Sequence, residues 1–190
     1  MIGIGLYILA RFRNVAFSVG AVVSLAHDTL IVFGLFSLLK DIMPFSMEID
    51  QSFIAAILTV IGYSINDNVV IFDRIRENLG LYPNRDIRSV INTSLNSTLS
   101  RTFSTSMSTL VVLIVIFFLG GDTIRGFIFA MLVGVIVGTY SSWFVATPLA
   151  YDLLKKNGGK SLIKKEEKSS DSVIEGNTAN AIEGMNAITE

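Results

Sequence analysis

The chain has 190 residues, of which 51% are hydrophobic and 16% charged, with a net charge of -1. Its mean hydropathy of +0.60 excludes an ordinary soluble domain and makes a membrane protein the first expectation. The balanced charge gives no reason to expect a nucleic-acid partner, and the lack of cysteine excludes a disulfide framework and thiol chemistry.

Crossing about 30 Å of hydrocarbon takes about 20 helical residues at about 1.5 Å each. Four apolar runs are long enough, at about 15–39, 52–72, 102–119 and 124–148. Before them, Ile2 to Ala10 is too short to span, and Arg11 and Arg13 follow it as basic residues follow the cytoplasmic end of a helix. No basic stretch precedes it, so it does not read as a signal peptide. Residues 1–10 read instead as a truncated span. The expected fold is an all-α, polytopic transmembrane helix bundle (11–150) with four complete spans plus one truncated N-terminal span. Arg11 and Arg13, then Arg74, Arg76, Arg85 and Arg88, then Lys155 and Lys156 occupy alternate loops, while Lys40 and Arg125 stand among acidic residues in the others. By the positive-inside rule the basic loops and the C-terminus are cytoplasmic.

The run at 15–39 carries Ala16, Gly20, Ser24 and Asp28 at four-residue intervals, and His27 and Asp28 lie midway along it. His27 is the only histidine. It reads either as a hydrogen-bonded structural group or as part of a polar relay with Asp28. Without cysteine it makes a poor zinc site, and no metal is expected. The loop KDIMPFSMEIDQ, turned by Pro44, leads to the run at 52–72, which ends in GYSINDNVVIFDRIRE.

Asn66 and Asp67 sit inside that run as a buried polar pair, the expected carriers of a proton-coupling step, with Asp67 five residues before Phe72. That places the carboxylate about 7 Å within the helix end, too deep to reach water by bending. Inserting such a group costs roughly 2.5–3.5 kcal/mol on translocon scales, so Asp67 should face a cavity or a partner. The plain alternative is an interhelical bond with no transport role. Asp73, Arg74, Arg76 and Glu77 follow at the membrane boundary, as a solvated, anchoring helix end or as a docking surface for a cytoplasmic partner.

Residues 73–101 are expected on the cytoplasmic side. Within them Ile87, Val90, Ile91, Leu95 and Leu99 recur at helical spacing, which suits a helix lying at the membrane surface or packed on the bundle's base. Arg101 opens the next span and is the natural partner of Asp67. Thr102, Ser104, Thr105, Ser106, Ser108 and Thr109 follow it. One or two such hydroxyls bond back to their own carbonyls, whereas six cover more than one face, and some could hold a file of water leading to Asp67. The last span places Gly126, Ala130, Gly134, Gly138, Ser142 and Ala146 at four-residue intervals, a small-residue groove for close helix packing. Residues 151–190 read as a disordered cytoplasmic tail. Gly159, Lys160 and Ser161 mimic the end of a phosphate-binding loop, but Leu154 stands where its first glycine should be. No nucleotide or other cofactor is expected.

A buried carboxylate feels opposed pulls from desolvation and from a nearby arginine. Moving one charge across the membrane is worth about 2.3 kcal/mol per 100 mV. A proton gradient is therefore the energy source that these residues suit, in a transport protein and not an enzyme.

The stretch FIAAILTVIGYSINDNVVIFDRIREN, then SLNSTLSRT, FLGGDTIRGF and GTYSSWFVATPL, with LAHDTLIVFG upstream, resembles the bacterial protein-export family SecF, or the SecF half of fused SecDF proteins. The resemblance covers most of residues 4–150. It implies a six-helix unit of the resistance-nodulation-division type in the cell inner membrane, pairing with SecD beside the SecYEG translocon. Such units use the proton motive force to assist export of unfolded preproteins. The family's transport carboxylate falls on Asp67 and its essential arginine on Arg101. The family's first helix, the periplasmic domain that contacts preprotein and half of the second helix have no counterpart here, so the fragment alone is expected to be inactive. Asn68 stands where the family commonly has Thr. Alternative readings are a related proton-coupled exporter of lipids or small hydrophobic molecules, and a packing module without ion coupling.

Overall fold

The computed structural model describes residues 2–12, 14–45 and 47–156. They form α1 (Ile2–Phe12), α2 (Val15–Leu39), α3 (Gln51–Leu81), α4 (Ile87–Leu119), α5 (Asp122–Ser141) and α6 (Thr147–Lys156), the last two joined by a wide π turn, Ser142–Ala146. Four stretches are long and apolar enough to cross a membrane: α2, α3, α4 and the continuous Asp122–Lys156 segment. Among the described residues there is no strand, so the chain is an all-α membrane bundle. Arg13 and residues 157–190, most of the expected tail, lie outside the described residues.

Helix starts follow local chemistry. The Asn14 side chain accepts from the Ala16 N–H at 2.9 Å, and Asp50 accepts from the Phe53 N–H at 2.9 Å, each satisfying a donor that an α-helix leaves unpaired. The Phe53 N–H is also the main reason that the Asp50 carboxyl sits below the usual carboxylate range. At the far end of α4 the Gly120 N–H closes the last turn on the Ile116 carbonyl at 2.7 Å.

Two boundaries differ from the sequence reading. Residues 87–99 do not form a separate surface helix but continue into the span as one 33-residue helix. Nothing between Ile87 and Leu119 is Gly or Pro, so no residue breaks it. At the end of the bundle that holds the α3–α4 turn, taken as its inner end, α3 and α4 are tied by Asn78 donating to Ser94 Oγ at 2.8 Å and Arg74 Nε donating to Ser97 Oγ at 3.1 Å. A helix of 31 residues, such as α3, is about 46 Å long, so it projects well past the hydrocarbon. The second difference is at residue 151: the helix runs on through Lys156, and Leu154 is buried in the bundle. Pro148 has no N–H to give and crowds the preceding turn. The helix widens there, and Thr147 Oγ1 caps the Ser142 carbonyl at 2.8 Å.

The interior has three zones along the bundle axis. An inner apolar cluster joins Ile8, Phe12, Phe17, Phe72, Ile75 and Ala150, with Phe17 and Phe72 ring centroids 4.9 Å apart. An outer cluster joins Val32, Phe36, Phe53, Ile57 and Ala130, with Phe36 and Phe53 4.4 Å apart. Between them lies a belt of polar side chains.

The small-residue row of α5 is the spine that brings these helices together. Gly126, Ala130, Gly134, Gly138, Ser142 and Ala146 are all buried. A Cβ on Gly134 would collide with Val60 of α3, and one on Gly138 would stand 3.2 Å from Ser64 Cβ. Near the inner end the Ala146 carbonyl approaches α2 so closely that a Cβ on Gly20 would lie 2.8 Å from it. The groove therefore seats α3 along its outer half and α2 along its inner half, through the van der Waals packing that drives helix association in lipid.

Candidate functional site

The buried face of α3 is apolar at Phe53, Ile57 and Val60, turns polar at Ser64, Asp67 and Asn68, and is apolar again at Ile71, Phe72 and Ile75. This one polar turn lies in the belt between the two apolar clusters. From α2, Asp28 (1% exposed) accepts a hydrogen bond from Ser64 Oγ at 2.7 Å, and its other oxygen lies 3.3 Å from His27 Nδ1. His27 itself is half-buried. From α5, Ser141 shares a hydrogen bond with Ser24 of α2 at 3.0 Å, and Ser142 of the π turn donates to the Gly138 carbonyl at 2.9 Å. A second hydroxyl chain links three helices, Tyr63 donating to Ser106 at 3.2 Å and Ser106 meeting Thr139 at 2.7 Å.

Asp67 differs from Asp28. It is 3% exposed, yet its Oδ2 has no hydrogen-bond partner among the described residues. The pairs Tyr63–Ser106, Arg74–Ser97 and Asn78–Ser94 run in antiparallel register, which brings Asp67 level with the α4 turn that contains Arg101 and Thr102. The Arg101 guanidinium is close enough to act on Asp67 electrostatically but gives its Oδ2 no hydrogen bond. Thr102 is buried toward the same interface, whereas Arg101 is itself exposed. An enclosed carboxylate whose Oδ2 takes no hydrogen bond from the described residues, with a cation on a second helix, can exchange a proton when that cation or water moves, because no protein donor holds that oxygen in one state.

Several expectations are corrected. Asn66 is exposed, not one of a buried pair with Asp67. Successive helical residues turn by about 100°, and the buried face defined by Val60, Ser64 and Ile71 takes in Asp67 and Asn68 while Asn66 points away. Of the hydroxyls after Arg101, only Thr102 and Ser106 are buried. Thr105 is exposed and bonds back to the Arg101 and Thr102 carbonyls at 3.2 and 2.9 Å, and Ser108 and Thr109 likewise bond to their own helix. The six do not form one file. At the inner rim, Asp73 takes an ion pair from Arg11 of α1 at 2.9 Å, and Arg74 pairs with Glu77 at 2.6 Å while reaching Ser97. Asp73 and Arg74 thus tie α1 and α4 to α3, and Arg76 lies half-buried among them. Ser64, Tyr63, Thr139 and Ser141 were missed in the sequence. The row Val60, Ser64, Asn68 at four-residue intervals was the available signal.

Residues 1–156 match the family model described as protein export membrane protein SecD/SecF, C-terminal. A protein translocase subunit SecF from Rhodothermus marinus is 54% identical over 147 residues, 77% of this chain and 47% of that protein. The Cereibacter sphaeroides SecF subunit is 46% identical over 167 residues, 88% of this chain and 48% of its own length. The chain thus spans about half the length of these curated relatives. A crystal structure of SecDF in a super-membrane-facing form superposes with a TM-score of 0.73 at 41% identity, covering 84% of this chain and 21% of that one. With nearly the whole described chain matched by the family model, this protein belongs to the SecD/SecF C-terminal family and corresponds to a SecF-type membrane portion.

Proposed function

We propose that this chain is the membrane half of a SecF-type translocase subunit that works with a SecD unit beside the SecYEG channel in the inner membrane, drawing on the proton motive force to assist preprotein export. Asp67 takes and releases the proton, and Arg101 adjusts its charge from the facing helix. The single observation that carries this reading is the enclosed, unbonded Asp67 Oδ2 level with the Arg101 turn. The dissimilar treatment of Asp28 supports it, since the same bundle gives that carboxylate donors. The arginine-rich inner ends of α1 and α3, together with Lys155 and Lys156, favour a cytoplasmic location for those ends and for the C-terminal side of α6.

The test is Asp67→Asn in the full-length protein reconstituted with its SecD unit and the translocon in inverted vesicles. Proton-gradient-dependent stimulation of export should fall to the level of vesicles lacking the protein, while assembly with SecD is unchanged. Undiminished stimulation would rule out Asp67 as the coupling group.

A further inference from the structure

Among the described residues, three polar side chains in or beside the belt hold buried atoms without a hydrogen-bond partner: Asp67 through Oδ2, Asn68 through both Oδ1 and Nδ2, and Trp143 through Nε1. Asn68 is 0% exposed, so a neighbouring protein cannot reach it while the bundle is closed. α3 and α5 run in parallel, with Val60 seated on Gly134 and Ser64 on Gly138. One turn further, that register sets Asn68 level with Ser142, the first residue of the π turn, which Trp143 follows in the chain. Trp143 and Val69 both pack against the inner apolar cluster, which closes this level from the cytoplasmic side. The unpartnered atoms of α3 and of the π turn therefore lie at one height, above an aromatic plug.

Leaving a buried donor or acceptor unmade costs about 1–3 kcal/mol, and native interiors pair nearly all such groups with protein or with ordered water. Buried water typically makes about three hydrogen bonds to polar groups of this kind. An amide with both ends unbonded, a carboxylate oxygen and an indole N–H supply acceptors and donors in the combination that water satisfies and a single ion does not. A cation would be repelled by the indole and amide N–H groups, and an anion by Asp67.

We propose that α3 and the π turn enclose an internal hydration site, in which water is held by Asp67 Oδ2, the Asn68 amide and Trp143 Nε1. Asn68 is a positioning residue of this site: it orders water at Asp67 and does not itself exchange the proton. Given the proton step at Asp67 proposed above, on which this role rests, that water hands the proton to and from the carboxylate. Asn68 suits the task as well as a hydroxyl would, because each presents both a donor and an acceptor.

Trp143 is the only tryptophan in this chain, which makes it a residue-specific reporter. The experiment is hydroxyl-radical footprinting by X-ray radiolysis, read by mass spectrometry at Trp143, on the full-length protein with its SecD unit. It compares the parent with Asn68→Thr and Asn68→Val, which share a shape but differ in polarity. Asn68→Thr should keep Trp143 labelling and proton-dependent export, and Asn68→Val should lower both several-fold. Labelling that is equal in Val and Thr variants would overturn the site. If labelling falls in Asn68→Val while proton-dependent export holds, the hydration site stands and the proton step at Asp67 is what fails.

Discussion

Asp28 and Asp67 are both enclosed carboxylates in the same polar belt, joined through Ser64, which donates to one and precedes the other by three residues on α3. Asp28 receives a hydroxyl at 2.7 Å and has an imidazole nitrogen 3.3 Å away. Asp67 has an oxygen that takes no hydrogen bond from the described residues and an arginine that acts on it electrostatically. Burial alone therefore does not tell these two carboxylates apart. The distinguishing feature is whether the fold supplies fixed donors: with one, Asp28 fastens α2 to α3, and Asp67 Oδ2 has none among the described residues.

The largest stability effect should come from a change that disturbs both carboxylates at once. Gly134→Ala drives a methyl group into Val60 and pushes α3 off its seat on α5, one turn before Ser64. Overpacking of this kind costs about 1–3 kcal/mol, and thermal unfolding in detergent should show a lowered midpoint, whereas Gly62→Ala, where a Cβ meets nothing within 4 Å, should not.

A smaller effect separates the two groups. Asp28→Ala strands the buried Ser64 hydroxyl, for a loss of about 1–2 kcal/mol. Asp67→Leu removes a group whose Oδ2 no donor among the described residues holds, so its unfolding midpoint should fall less than that of Asp28→Ala, although export coupling is lost. If Asp67→Leu destabilised the bundle as much as Asp28→Ala, the contrast between them would collapse and both would be structural.

The spans, the small-residue spine and the depth of Asp67 were legible in the sequence because they depend on helical spacing and on the thickness of hydrocarbon alone. The choice between Asn66 and Asn68 was not. Four of the five residues Ser64 to Asn68 are polar, so the buried side is set by rotation of the whole helix, which Val60 and Ile71 fix by packing against α5 and the inner cluster. Continuity of α4 through Leu99 to Thr102 was hidden by its hydroxyl-rich composition, which reads as surface although no residue there breaks a helix. The π turn needed knowledge that Pro148 lies within a span that carries on to Lys156.

The most direct measurement is infrared difference spectroscopy of the full-length protein with its SecD unit in lipid, recorded across a pH jump. A carboxyl band should appear or vanish with the jump, be absent in Asp67→Asn and persist in Asp28→Asn. A band that survives Asp67→Asn and is lost in Asp28→Asn would contradict a proton step at Asp67 and assign it to the carboxylate with fixed donors.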